Sequence, residues 1–310
     1  MNDIDILVSE VGPRDGLQSV ARVMPTATKN AWIRAQAAAG CREIEVGSFV
    51  PPKLLPQMAD TAKVVEAALE IPDLTVAVLV PNLRGAEDAI AAGAHKVSIP
   101  FSVSETHSLK NVRKSHDDMI AEIARIAERV ADIDAGKRPH FEAGLSTAFG
   151  CTLEGPVSED LVVRSAERLM EAGVAEVGLS DTTGYANPEQ VKRLVRKVQA
   201  AVGKEHINGV HLHNTRGLGL ANALAAIEEG ITTVDSSLGG IGGCPFAPGA
   251  SGNIVTEDLV FMLEAMGLKT GIDIERLLEV RTIVRDALPD EPLYGFVPDA
   301  GVPKGFGHAA

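Results

Sequence analysis

Residues 159–179 read Glu-Asp-Leu-Val-Val-Arg-Ser-Ala-Glu-Arg-Leu-Met-Glu-Ala-Gly-Val-Ala-Glu-Val-Gly-Leu. Glu159 to Ala172 reads as a helix, Gly173 stops it, and Glu176 to Leu179 reads as a strand. Glycine enters the left-handed conformation without penalty, which makes it a common helix stop. The same junction recurs at Ala39-Gly40, Ala92-Gly93 and Glu229-Gly230, each a few residues before a strand candidate. Strands are expected at Ile4–Val11, Glu43–Val46, Leu74–Val80, Lys96–Ile99, His140–Leu145, Glu176–Leu179, Val210–His213 and Thr232–Ser236. Pro100 is expected to close the fourth strand, and Ser108 to Ile133 reads as one long helical stretch. A repeated αβ unit of this kind predicts a parallel (β/α)₈ barrel, the TIM barrel, with a doubly wound open sheet as runner-up. No Gly-x-Gly-x-x-Gly follows the first strand, which counts against a dinucleotide fold. The expected layout is one catalytic domain over residues 1–310: a barrel over about 4–237, a glycine-rich lid over 238–254, and extra C-terminal helices with an irregular tail over 255–310.

The chain's 310 residues suit such a barrel. With 45% hydrophobic but only 4% aromatic residues, it is built for aliphatic helices on a parallel sheet. A net charge of −13 without a basic block argues against nucleic-acid binding. There is no basic stretch leading into an apolar run at the start and no apolar run of transmembrane length, so a cytoplasmic protein without a membrane partner is expected. Three scattered cysteines, Cys41, Cys151 and Cys244, fit a reducing compartment better than a disulfide framework.

Active sites of these barrels lie at the carboxyl ends of the strands. Those ends carry Arg14, Asp15, Glu45, Ser48, Asn82, Ser146, Cys151, Asp181, Thr182, His211 and His213. Turns are polar anyway, so no single one of these is informative. Together they put a carboxylate and two histidines on one rim. In Val210-His-Leu-His-Asn214 the two histidines share one face of a strand. With Asp15 they make a mixed nitrogen–oxygen site that suits Mg²⁺, Mn²⁺, Co²⁺ or Zn²⁺ without choosing among them. Gly239 to Asn253, dense in glycine around Cys244, reads either as an irregular connection with an inert thiol or as a lid that carries the thiol to a substrate.

Three motifs resemble the 3-hydroxy-3-methylglutaryl-CoA lyase family: Glu10-Val-Gly-Pro-Arg-Asp-Gly-Leu-Gln18, His211-x-His213, and Gly242-Gly-Cys-Pro-Phe-Ala-Pro-Gly-Ala-Ser-Gly-Asn253. Lesser matches are Ile44 to Val50, Pro81 to Gly85, Gly150-Cys151 and Ser180 to Gly184, in the family's order from about Ser9 to about Gly271. The resemblance implies a divalent-metal-dependent barrel that cleaves a 3-hydroxyacyl-CoA, foremost 3-hydroxy-3-methylglutaryl-CoA to acetyl-CoA and acetoacetate, as in leucine degradation. It implies Asp15, His211, His213 and Asn253 as ligands of the metal, with Mg²⁺ or Mn²⁺ ahead of Zn²⁺ or Co²⁺. Arg14 would contact the thioester oxygen, Cys244 would serve in acid–base chemistry, Glu45 would orient metal ligands, and Asp181 joins the catalytic candidates. Gln18, Ser48, Asn82, Thr182 and Arg216 are, with Arg14, the candidates for substrate contact. A homodimer is the implied assembly.

One departure stands out. After His213 the chain reads Asn214-Thr-Arg-Gly217, where the family usually has Asp-Thr, an aromatic residue and glycine. Arg216 is therefore either a solvated surface residue or a contact that moves the substrate towards citramalyl-CoA or a longer 3-alkyl-glutaryl-CoA. A condensing acyltransferase like isopropylmalate synthase would share Arg14-Asp15 and His-x-His but lack the Gly-Gly-Cys-Pro segment. A non-catalytic barrel would be expected to have lost one of these residues.

Overall fold

The computed structural model describes residues 4–242 and 252–307. Eight parallel strands close into a barrel in sequence order: β1 (Leu7–Glu10), β2 (Glu43–Ser48), β3 (Thr75–Leu79), β4 (Lys96–Ser102), β5 (His140–Ser146), β6 (Glu176–Asp181), β7 (Gly209–Leu212) and β8 (Thr233–Ser236). Closure is made by β8 on β1, in register from Leu7 opposite Thr233 to Glu10 opposite Ser236. Around the sheet run α1 (Thr26–Ala38), α2 (Thr61–Ala68), α3 (Leu83–Ala92), α4 (Glu105–Asn111), α5 (His116–Ala131), α6 (Glu159–Glu171), α7 (Pro188–Val202) and α8 (Gly219–Glu228). Then come α9 (Thr256–Ala265), α10 (Ile274–Ala287) and a single turn, α11 (Val297–Ala300), in the tail expected to be irregular. The expected helix stops hold: Gly40, Gly93, Gly173 and Gly230 have φ of 107°, 83°, 96° and 92°.

Two expectations are corrected. The stretch from Ser108 to Ile133 is two helices, because Arg113 takes φ of 58° and Ser115 opens α5 with a capping box to Asp118. Pro100 does not end β4, which pairs with β5 as far as Ser102. Ser98 turns its carbonyl to the β3 side, where Val80 N–H donates to it. Pro100, two residues on, faces that side beyond the last β3 pair, so its missing N–H costs no ladder bond.

The barrel's polarity runs opposite to its usual filling. Outward residues such as Val177, Leu179, Ala143 and Leu145 are buried under helices. Inward residues of β4 to β8, among them Ser98, Glu142, Gly144, Gly178 and Ser180, keep partial exposure inside the barrel. Layers of branched aliphatic side chains ordinarily fill this space; here it is polar and partly hollow. Among the described residues, no helix is long and apolar enough to cross a membrane.

Candidate active site and metal centre

After β1 the chain makes one π-helical turn, Gly12–Gly16, with the Val11 carbonyl accepting from the N–H groups of Arg14, Asp15 and Gly16 at 3.1, 2.7 and 3.4 Å. The turn is anchored from below by Glu10, which is wholly buried. One Glu10 oxygen accepts from Gly12 N–H and Leu238 N–H, both at 2.9 Å; the other accepts from Gln36 Nε2 at 2.7 Å and Thr256 Oγ1 at 2.8 Å. Burial pushes this carboxyl up to about 8 despite those donors. Glu10 thus ties the ends of β1 and β8 to α1 and α9.

Arg14 and Asp15 are aimed inward. Arg14 donates from Nε to Glu45 and from Nη1 to Asp15, both at 2.5 Å. Ser98 Oγ donates to the second Glu45 oxygen at 3.0 Å. Glu45 therefore orients the guanidinium and not a histidine. Asp15 also accepts from Gln18 Nε2 at 2.8 Å and from Asn253 Nδ2 at 2.7 Å. Burial would raise the Asp15 carboxyl, but Arg14, the two histidines and Asn253 hold it down at about 2.

β7 delivers the histidines. His211 lies in the strand and His213 just past its end, where it forms an isolated bridge with Asn253. Their Nε2 atoms converge to 3.1 Å. Asp235, on β8, takes Nδ1 of His211 at 3.0 Å. That contact fixes the tautomer and leaves Nε2 facing Asp15. Burial depresses the His211 pKa, yet the Asp235 hydrogen bond and the charges of Asp15 and Asp235 outweigh it and leave it raised. Burial, with His211 adding to it, takes His213 down to about 4.

These residues fit a divalent metal. One ligand atom from each of Asp15, His211 and His213 lies within 4.8 Å of the others. The Oδ1 of Asn253 is buried and has no hydrogen-bond partner among the described residues. Such an orphaned oxygen beside three convergent donors is what an ion would satisfy. Gly242 (φ 111°) passes against the cluster, and a Cβ there would lie 2.4 Å from Asn253 Nδ2 and 3.0 Å from Asp15 Oδ2. Only glycine lets the chain approach so closely.

A cavity of about 860 Å³ opens over this centre. Arg14, Asp15, Gln18, Glu45, Asn82, Thr182, His211 and His213 line it. Asn82 spends its side-chain oxygen capping α3, accepting from Gly85 N–H at 3.0 Å, and Thr182 Oγ1 accepts from Thr147 N–H at 3.0 Å. Ser48, Asp181 and Arg216 are not part of the lining. Asp181 fastens its own loop through the N–H groups of Tyr185 and Ala186. Arg216 donates to the carbonyls of Thr183 and Gly184 at 3.0 and 2.9 Å and lies over the Tyr185 ring. It thus clamps the loop after β6 as an exposed residue and is not part of the cavity lining. Cys244 lies outside the described residues.

Sequence reading missed Asp235, Glu10 and the cations of the mouth. Asp235 had a signal: it is the one charged residue of the short strand Thr233-Val-Asp-Ser236. The mouth carries Lys110, from the last turn of α4, and Arg113 and Lys114, from the connection between α4 and α5, together with Val50, Pro51 and Leu54. Lys114 is paired with Glu122 at 2.9 Å, whereas Arg113 is exposed.

The HMGL-like family model matches residues 5–284. The hydroxymethylglutaryl-CoA lyase YngG of Bacillus subtilis is 39% identical over 283 residues, covering 91% of this chain and 93% of that protein. The mitochondrial hydroxymethylglutaryl-CoA lyase of Mus musculus is 40% identical, covering 91% and 86%. Among solved structures, an HMG-CoA lyase from Acinetobacter baumannii in complex with coenzyme A and 3-methylmalate superposes with a TM-score of 0.89 at 40% identity, covering 98% of both chains.

Proposed function

The chain belongs to the HMGL-like family, and from that membership we propose that it is a carbon–carbon lyase that splits 3-hydroxy-3-methylglutaryl-CoA into acetyl-CoA and acetoacetate. The observation that carries this reading is the convergence of Asp15, His211 and His213 beside Arg14 in one cavity, with the buried Asn253 side chain donating to Asp15 and its oxygen without a partner among the described residues.

Asp15, His211, His213 and Asn253 would hold a divalent ion, which would supply Lewis-acid polarisation of the substrate's oxygens. Arg14 is pre-oriented by two carboxylates, and among the described residues its Nη2 has no partner. It is therefore a ready donor to the thioester oxygen. A base removes the proton of the carbon-3 hydroxyl. The carbon 2–carbon 3 bond then breaks, its electron pair passing to carbon 2 as a thioester enolate while carbon 3 becomes the ketone of acetoacetate. Negative charge grows on the thioester oxygen in that step, so a fixed guanidinium there lowers the barrier. A proton delivered to carbon 2 gives acetyl-CoA, and Cys244 is the proposed donor. Glu45 and Gln18 act by holding Arg14 and Asp15 in place.

The exposed Arg113, with Lys110 and Lys114, forms a cationic mouth on a chain of net charge −13, a fit for the phosphates of CoA. Mg²⁺ or Mn²⁺ is the proposed ion, supported by the oxygen donors of Asp15 and Asn253 beside two imidazoles. A cytoplasmic homodimer is part of the same reading; the free, buried Cys41 and Cys151 suit a reducing compartment. The test is acetyl-CoA release from the substrate after EDTA treatment and repletion with Mg²⁺ or Mn²⁺. Metal-restored cleavage, lost in His213→Ala, is expected. Metal-independent cleavage, or none, would overturn the reading.

A further inference from the structure

Beneath the metal centre the cavity continues down the barrel to Glu43 and Lys96, each the first residue of its strand, and to Glu142. Glu43 sits two residues below Glu45, and Lys96 two below Ser98. At about 3.3 Å per residue and a strand tilt of about 36°, that is a further layer about 5 Å deep.

The wall beside this space is a row of glycines. Gly144, Gly178 and Gly209 are opposite one another across β5, β6 and β7. None of them has a left-handed φ. A Cβ on Gly144 would meet nothing nearer than Ser180 Oγ at 3.7 Å. On Gly178 the nearest atom would be Gly209 O at 3.5 Å, and on Gly209 the nearest atoms would be 4.0 Å away. Neither backbone conformation nor crowding thus demands glycine at these positions, and glycine weakens a strand interior. What the three glycines do is leave volume. All three keep partial exposure within the barrel.

The floor is charged but already matched. Lys96 Nζ lies 3.1 Å from Glu43 and 2.9 Å from Glu142. A third carboxylate placed there would face two of its own sign against one ammonium. A hydrocarbon end would strip solvent from the ion pairs. A neutral donor–acceptor such as a hydroxyl satisfies both limits.

We propose that the acyl site accepts a carbon-3 substituent longer than methyl, about four bonds long, lying along the Gly144–Gly178–Gly209 wall and ending in an uncharged hydrogen-bonding group against Lys96 and Glu142. The proposal rests on the lyase reading above and narrows its substrate class.

The test compares 3-hydroxy-3-methylglutaryl-CoA with 3-hydroxy-3-(3-hydroxypropyl)glutaryl-CoA, on the metal-repleted native protein and on Gly144→Val and Gly178→Val. The native protein should cleave the longer substrate with a kcat/KM at least equal to that for the methyl substrate. Each valine should lower kcat/KM for the longer substrate at least a hundredfold more than for the methyl one. Thermal melting of each variant, at or above the native midpoint, would show that the fold is kept. Cleavage of the methyl substrate alone, or equal losses on both substrates in a folded variant, would overturn this inference and leave the lyase reading intact. No cleavage of either substrate by the native protein would overturn both.

Discussion

Asp235 Oδ2 accepts a hydrogen bond from Nδ1 of His211 at 3.0 Å, joining neighbouring strands β8 and β7 behind the metal centre. The contact holds the imidazole ring and keeps its proton on the side away from Asp15. In Asp235→Ala the ring is free to turn and to change tautomer. Loss of such an outer partner typically costs about 10–100-fold in metal affinity. Mn²⁺ binding followed by electron paramagnetic resonance should show that loss while circular dichroism stays native; unchanged affinity would deny Asp235 this role.

Metal affinity should weaken as pH falls. Binding needs Nε2 of His211 unprotonated, and its neighbours raise its pKa above the ordinary 6.5. His213, at about 4, and Asp15, at about 2, are already deprotonated near neutrality. Above the His211 value the apparent Mn²⁺ affinity should be flat; below it, affinity should drop about tenfold per pH unit, with one proton released per ion bound. Titration calorimetry in buffers of different ionisation enthalpy counts that proton.

Arg14→Gln should act on turnover more than on binding. Removing a donor to a developing oxyanion costs about 10²–10³ in kcat. The KM for the acyl-CoA should change only a few-fold, because the mouth and the metal remain. A rise in KM with kcat preserved would move Arg14 from catalysis to simple binding.

Arg113→Glu, alone or with Lys114→Glu, should raise KM for the CoA thioester about tenfold and flatten its rise with salt, because the attraction that salt screens is gone. The matching pantetheine thioester lacks the nucleotide and its phosphates, and its KM should move little. Equal changes on both thioesters would place the nucleotide elsewhere.

Glu10→Ala should destabilise the fold without touching the substrate directly. It leaves the N–H groups of Gly12 and Leu238 and the amide of Gln36 buried without their acceptor. Stranding such a network costs about 3–5 kcal/mol, which thermal melting would show as a fall of several degrees.

Local chemistry was enough to set the barrel. Glycines at 40, 93, 173 and 230 stop helices, and the short apolar runs after them read as buried strands. The alternation of β7 likewise put His211 and His213 on one face before any neighbour was known. Where the reading slipped, a local rule met a non-local circumstance. Pro100 usually ends a strand, but here β3 had already run out on its bare side. Arg113 sits in a sequence that reads helically on either side, and its left-handed φ together with the Ser115 cap divides the stretch.

What the sequence by itself determined is the repeat, the rim and the residue types of the metal site. What only the tertiary structure decided is which of them meet. Asp15 and Asn253 are 238 residues apart in the chain, yet their side chains are 2.7 Å apart. Glu45 turned out to serve Arg14, Asp235 to serve His211, and Arg216 to clamp a loop. The hollow beneath the metal centre is likewise invisible in a linear reading, because it is made by glycines on three strands aligned by register. Helix stops and strand alternation act over a few residues, whereas barrel closure fixes which strands stand side by side and at what height, and only that placement turns residue types into a site.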